Sequence, residues 1–141
     1  MIKYFFYPLL IVATLVFNAY SVLASNLPKC TTENMNYPFK CFGTSILENG
    51  GKYIGEWRNG KQHGQGTTIY LSGDLFTGEY QNGIRDGAGK YFWGPGQWEG
   101  DIYFGEWKNG KRIGLAIYIP KQGSIMEGEF SETKLITPKK T

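Results

Sequence analysis

Four glutamates recur at one phase along this chain of 141 residues: Glu56, Glu79, Glu106 and Glu129, spaced 23, 27 and 23 apart, each preceded by a glycine. Paired carboxylates are the residue type that general acid–base hydrolysis needs. Strands two apart in a sheet lie ~9–10 Å from each other, near the upper limit for an inverting glycosidase pair. A residue that returns in every copy of a repeat, however, reads as structural, accepting hydrogen bonds near its own turn. An envelope hydrolase using Glu56 or Glu79 is therefore the third functional reading only. The single histidine, His63, is replaced by Asp86 and Ile113 at the equivalent positions. One histidine and two cysteines cannot complete the common four-ligand zinc sites without carboxylates. No Gly-x-x-x-x-Gly-Lys-Ser/Thr phosphate loop occurs. The expectation is no catalytic residue, no metal and no cofactor.

The elements that carry these glutamates are legible from the repeat. Tyr53-Ile54-Gly55-Glu56-Trp57-Arg58-Asn59-Gly60 returns as Phe76-Thr77-Gly78-Glu79-Tyr80-Gln81-Asn82-Gly83, then as Tyr103-Phe104-Gly105-Glu106-Trp107-Lys108-Asn109-Gly110. A shortened copy, Met126-Glu127-Gly128-Glu129-Phe130, follows. Each full copy continues into a second glycine pattern, with Gly64 and Gly66, then Gly87 and Gly89, then Gly114 and Ala116. Asn-Gly between two β-rich segments is the strongest short signal for a type I′ hairpin turn, because both central residues need positive φ. The segment before it alternates, placing Tyr53, Gly55 and Trp57 on one face and Ile54 and Glu56 on the other. The aromatic pairs would cover the glycine backbones and form the core.

Glycine supports the same reading. All 20 glycines fall between Gly43 and Gly128, alongside 4 Trp, 10 Tyr and 9 Phe. Each interior glycine costs a helix roughly 1 kcal/mol, and this aromatic content argues against disorder. The spacing is not that of collagen. The predicted fold is all-β: one elongated, twisted antiparallel sheet of consecutive β-hairpins, with seven to eight strands.

Lys3 followed by the apolar run Tyr4–Phe17 and by Val22-Leu23-Ala24 fits a secretory signal cleaved after Ala24. An uncleaved anchor is the alternative, since 21 residues from Tyr4 reach across a bilayer in principle. Either reading places the rest of the chain outside the cytoplasm, periplasmic or secreted. In that compartment Cys30 and Cys41 are expected to pair. The predicted organisation is a signal over 1–24 and a disulfide-closed cap over 25–41. The repeat sheet follows over 42–130: a half repeat at 42–51, repeats at 53–73, 76–100 and 103–123, and a partial copy at 126–130. A disordered basic tail is expected over 131–141.

The pattern Tyr53-x-Gly55-Glu56-Trp57-x-x-Gly60-x-x-His63-Gly64-x-Gly66, with its later copies, resembles the MORN (membrane occupation and recognition nexus) repeat family. The signal, the two cysteines and Phe42-Gly43-Thr44 look like its exported bacterial members. The second copy departs by four extra residues around Gly94-Pro95-Gly96-Gln97, and the fourth has lost its Asn-Gly turn, which suits a terminal cap. The resemblance implies a non-enzymatic scaffold that binds another protein, self-associates or contacts anionic lipid.

Charge bears on the partner. Lys and Arg number 15 against 12 Asp and Glu, a net charge of +3, too weak to argue for nucleic acid. Around the Asn-Gly turns, however, Arg58, Lys61, Arg85, Lys108, Lys111 and Arg112 face only Asp86. This edge is a candidate anion-binding surface for an anionic membrane, and that is the second functional reading. The first is a protein-interaction module with an unidentified protein partner, with a homodimer by edge or end pairing as a further arrangement. Mass measurement of the exported protein should give a chain beginning at Ser25. Reduction should add the mass of two hydrogens, and any other N-terminus would overturn the cleavage reading.

Overall fold

The structure, a computed structural model, describes residues 26–31, 40–132 and 134–138. The expected signal at 1–24 and the end of the tail at 139–141 lie outside these residues. Nine strands follow one another: β1 (Cys41–Ile46), β2 (Lys52–Arg58), β3 (Lys61–Ile69), β4 (Leu75–Gln81), β5 (Ile84–Phe92), β6 (Ile102–Lys108), β7 (Lys111–Ile119), β8 (Met126–Glu132) and β9 (Lys134–Pro138). They form a single antiparallel sheet in sequence order, so each strand hydrogen-bonds only to its neighbours in the sequence.

The turns follow the expected chemistry. Asn59, Asn82 and Asn109 have φ of 52°, 53° and 51°, and the glycines after them are also positive, the conformation a type I′ turn demands. The expectation of seven to eight strands falls short by one, and the disordered tail does not begin at residue 131. β8 extends through Glu132 and turns there with φ +57° into β9. Loss of the Asn-Gly pair therefore did not end the hairpin series, because Glu132 adopts the left-handed conformation in its place. At the other end, residues 28–30 lie along β1. Cys30 N–H donates to Phe42 O at 2.9 Å and Phe42 N–H to Pro28 O at 2.8 Å. The Cys30–Cys41 disulfide, with Cα atoms 5.0 Å apart, fastens this segment across the edge.

One sheet has no second layer to bury against, so the core lies on one of its own faces. Seven rings form an unbroken ladder along that face. Trp57 meets Tyr53 at 5.1 Å, Tyr53 meets Tyr80 at 5.1 Å, and Tyr80 meets Phe76 at 5.4 Å. The series continues through Trp107 at 5.1 Å, Tyr103 at 5.6 Å and Phe130 at 5.4 Å. Every contact is edge-to-face with ring planes 81–87° apart, the geometry in which the positive ring edge meets the negative face. Tyr53, Phe76 and Tyr103 are wholly buried. Tyr53 and Phe76 can lie flat on the sheet because the paired residues beneath, Gly55 with Gly66 and Gly78 with Gly89, have no side chains, and beneath Tyr103 Gly105 pairs with the small Ala116. A Cβ at Gly66 would overlap the Tyr53 ring. Gly66→Ala is expected to lose about 1–3 kcal/mol, the cost of overpacking, read as a lower urea midpoint. An unchanged midpoint would show that the ring is free to move.

Candidate functional site

The repeated glutamates occupy the face opposite the rings. β2 and β3 pair regularly from Lys52 to Gly55, then skip at Glu56, which three residues of β3 (His63 to Gln65) oppose without a partner of their own. The same bulge recurs at Glu79. Its carboxylate fills the space left by a glycine in positive φ: Gly64 (φ +58°) under Glu56 and Gly87 (φ +121°) under Glu79. Glu56 Oε1 accepts the Gln65 N–H at 3.1 Å, and Glu79 accepts the Ala88 N–H. Each carboxylate thus satisfies a donor that the bulge freed. Burial pushes the Glu79 carboxyl above its ordinary value; the Ala88 N–H pulls it down, and Asp86 raises it. In the third copy the arrangement relaxes, with Glu106 exposed and Gly114 farther from its carboxylate.

The basic edge is divided by the fold. Lys108 pairs with Asp86 at 3.0 Å and Lys111 with Glu132 at 2.5 Å. Arg58 and Lys61 are exposed in the turn. Arg85 and Arg112 leave the edge and lie over the ring face. The Arg85 guanidinium sits 4.3 Å from the Trp107 ring centre, and Arg112 sits 5.3 Å from Tyr103 and 5.4 Å from Trp93. Arg85 Nη2 donates to Gly110 O at 3.1 Å and Arg112 Nε to Glu132 O at 3.0 Å. Among the described residues neither arginine has a carboxylate partner. Burial lowers the Arg112 pKa from its ordinary value, and Arg85 adds to that fall. Burial lifts the Tyr103 phenol to about 12, against the pull of Arg112.

A second set of residues escaped the sequence reading. Asp74 accepts the Tyr91 hydroxyl at 2.8 Å and the Gly94 N–H at 2.8 Å. Asp101 accepts the Tyr118 hydroxyl, and the Lys121 N–H at 2.8 Å. Each aspartate therefore latches one connection between hairpins to the next. Asp74 and Asp101 each stand two residues before a buried ring, Phe76 and Tyr103, and that recurrence was available in the sequence. The tyrosines so held, with Tyr70 and Trp93, form a second aromatic row beside the ladder.

Residues 53–75, 76–98 and 103–119 match the MORN repeat family model. The chain carries MORN repeats. The first two MORN stretches abut, whereas the third begins only after four unmatched residues at 99–102, the register of the insertion. No curated protein matches the chain. Among the described residues no group of three or more possible metal ligands converges, and no helix is long and apolar enough to cross a membrane.

The half-buried Glu79 carboxyl sets a pH trend. Glu79 has a folded pKa above its unfolded value of 4.5, so protonation favours the native state and stability falls as pH rises through that window. Glu79→Gln keeps an acceptor for the Ala88 N–H and is expected to flatten this decline, measured by urea unfolding at about pH 4 and about pH 7. Asp74 runs the other way: burial raises its pKa, but the Tyr91, Gly94 and Ser72 hydrogen bonds outweigh it and leave the value below 3.8. Its contribution is present above that value and lost as pH falls.

Proposed function

We propose that this MORN-repeat chain is an exported, non-enzymatic binding module that holds another protein against its sheet. One observation carries the reading. The carboxylates of Glu56 and Glu79, the residues best suited to acid–base work, are committed to the backbone of their own bulges. The ring face, with two arginines lacking acidic partners, is left as the surface with binding capacity. MORN repeats are consistent with a binding module of this kind. The Cys30–Cys41 bond and the apolar leader support an oxidising compartment, periplasmic or extracellular.

Peripheral binding to anionic phospholipid is the second reading, favoured by exposed Arg58 and Lys61 at the turns. Its edge is weaker than a count of cations suggests, because Lys108 and Lys111 are already paired. A homodimer would form by strand addition at β9, since among the described residues nothing pairs with its outer side.

Affinity capture from an envelope extract is expected to retain a discrete protein partner at about 0.15 M salt, where exposed charges farther apart than roughly 8 Å are largely screened. Retention of no protein, together with sedimentation on anionic vesicles that is abolished by salt and by the triple change Arg58→Ala, Lys108→Ala and Arg112→Ala, would replace the first reading by the second.

A further inference from the structure

The four-residue insertion in the second repeat builds something that the other repeats lack. Connections between hairpins close on the same base: Leu47 with Gly51, Tyr70 with Asp74, and Trp93 with Asp101. The first two enclose three residues each, but the third encloses 94–100. This longer loop is not loose. Glu99 N–H donates to Gly96 O, Asp101 N–H to Trp98 O, and Gly100 N–H to Trp93 O at 2.9 Å. Gly94 is buried against the Gly73 backbone, and Asp74 holds the Gly94 N–H. So fixed, the loop delivers Trp98, 54% exposed, beside Met126, 40% exposed.

Two grooves meet there. One, of about 460 Å³, is lined by Trp93, Trp98, Tyr118, Met126, Phe130 and their neighbours. The other, of about 370 Å³, is lined by Arg85, Trp107, Lys111 and Arg112, with Glu132 also on its wall and paired to Lys111, so the two arginines carry its uncompensated charge. Trp93 and Arg112 belong to both, so the grooves adjoin, one largely apolar and the other largely cationic. At the cationic end each guanidinium donates one hydrogen bond to a backbone carbonyl out of five N–H donors. The indole N–H of Trp107 is buried without an acceptor among the described residues. Its counterpart Trp57 donates to Gly43 O at 3.3 Å. Buried donors are almost always satisfied, so this one is an exception.

The geometry points to these two adjoining grooves as a binding site for an extended peptide segment of the partner, one that carries an acidic side chain beside a large apolar one. The inference rests on the reading of the chain as a protein-binding module and supplies its surface and ligand chemistry. The carboxylate is taken by Arg85 and Arg112, whose planar forks suit two-pronged recognition and whose partial burial over rings strengthens the contact. The apolar side chain enters between Trp93, Trp98, Tyr118 and Met126, and aromatic residues of this kind carry most of the energy in interfaces. A bilayer fits less well. Its flat surface would meet the exposed turns first, whereas these two arginines lie half-buried over the ring face.

Selection of random peptides on the folded protein provides the test, with vesicles of anionic phospholipid and inorganic phosphate as separate arms. Enriched peptides should pair Asp or Glu with a neighbouring aromatic or long aliphatic residue. Their affinity should fall at least tenfold in the double variant Arg85→Gln, Arg112→Gln and at least fivefold in Trp98→Ala, and stay unchanged in Lys61→Gln. Circular dichroism and the urea midpoint check that each variant is folded. Trp98 is exposed enough for its removal to leave the sheet intact. No enrichment, enrichment without acidic residues, equal binding by both groove variants, or groove-dependent binding of vesicles or phosphate but not of peptide would each overturn the site. If the double variant still captures the envelope partner, the groove is the wrong surface and the binding module stands. If the wild-type protein captures none, the module reading falls.

Discussion

Seven aromatic rings, stacked edge against face along one side of an open sheet, do the work that a second layer does in most β-proteins. Each ring contact carries about 0.5–1.5 kcal/mol beyond its buried area. The ladder depends on strands that carry glycine, or at one position the small Ala116, at the crossing points, where a large side chain would displace a ring. The repeat is thus a consequence of the missing layer. Every hairpin must supply its own ring and its own glycines, since no distant element can cover it.

Glycine has a second task on the reverse face. At each bulge the backbone turns through positive φ and frees an N–H, and a glutamate from the neighbouring strand fills the space and accepts that donor. The Gly-Glu pair, the bulge and the glycine eight residues after the glutamate form one unit, seen at Glu56 with Gly64 and at Glu79 with Gly87. This explains why a residue suited to acid–base chemistry recurs without performing it. The aspartates of the connections act similarly, each joining one hairpin to the next through a tyrosine hydroxyl and a backbone N–H. Local polar satisfaction by short acidic side chains is what lets a sheet this thin keep one register.

Much of the fold was legible because its contacts are local. Asn-Gly turns announced the hairpins, and consecutive hairpins left little choice of strand order. The ninth strand was not legible, since Glu132 reaches the left-handed conformation that glycine or asparagine normally signals. The latches at Asp74 and Asp101 were present as a spacing, two residues before a buried ring, but their hydroxyl and N–H partners lie one connection away along the chain. The basic edge was misjudged in a different way: turn position was taken to decide where a cation points.

Sequence alone determined the class of the protein, an all-β chain of MORN hairpins with Cys30 and Cys41 placed to pair, because turn chemistry and alternation act within each hairpin and the repeat returns them in register along the chain. Tertiary structure alone decided what its charges do. Arg85 and Arg112 lie in adjoining grooves with Trp93 and Trp107 because β5, β6 and β7 are neighbours and an arginine is long enough to fold back over the next ring. Lys108 and Lys111 stay at the edge because Asp86 and Glu132 come within reach there. Which of two similar cations becomes part of a site depends on what the neighbouring strand presents to it, and no spacing along one chain carries that information.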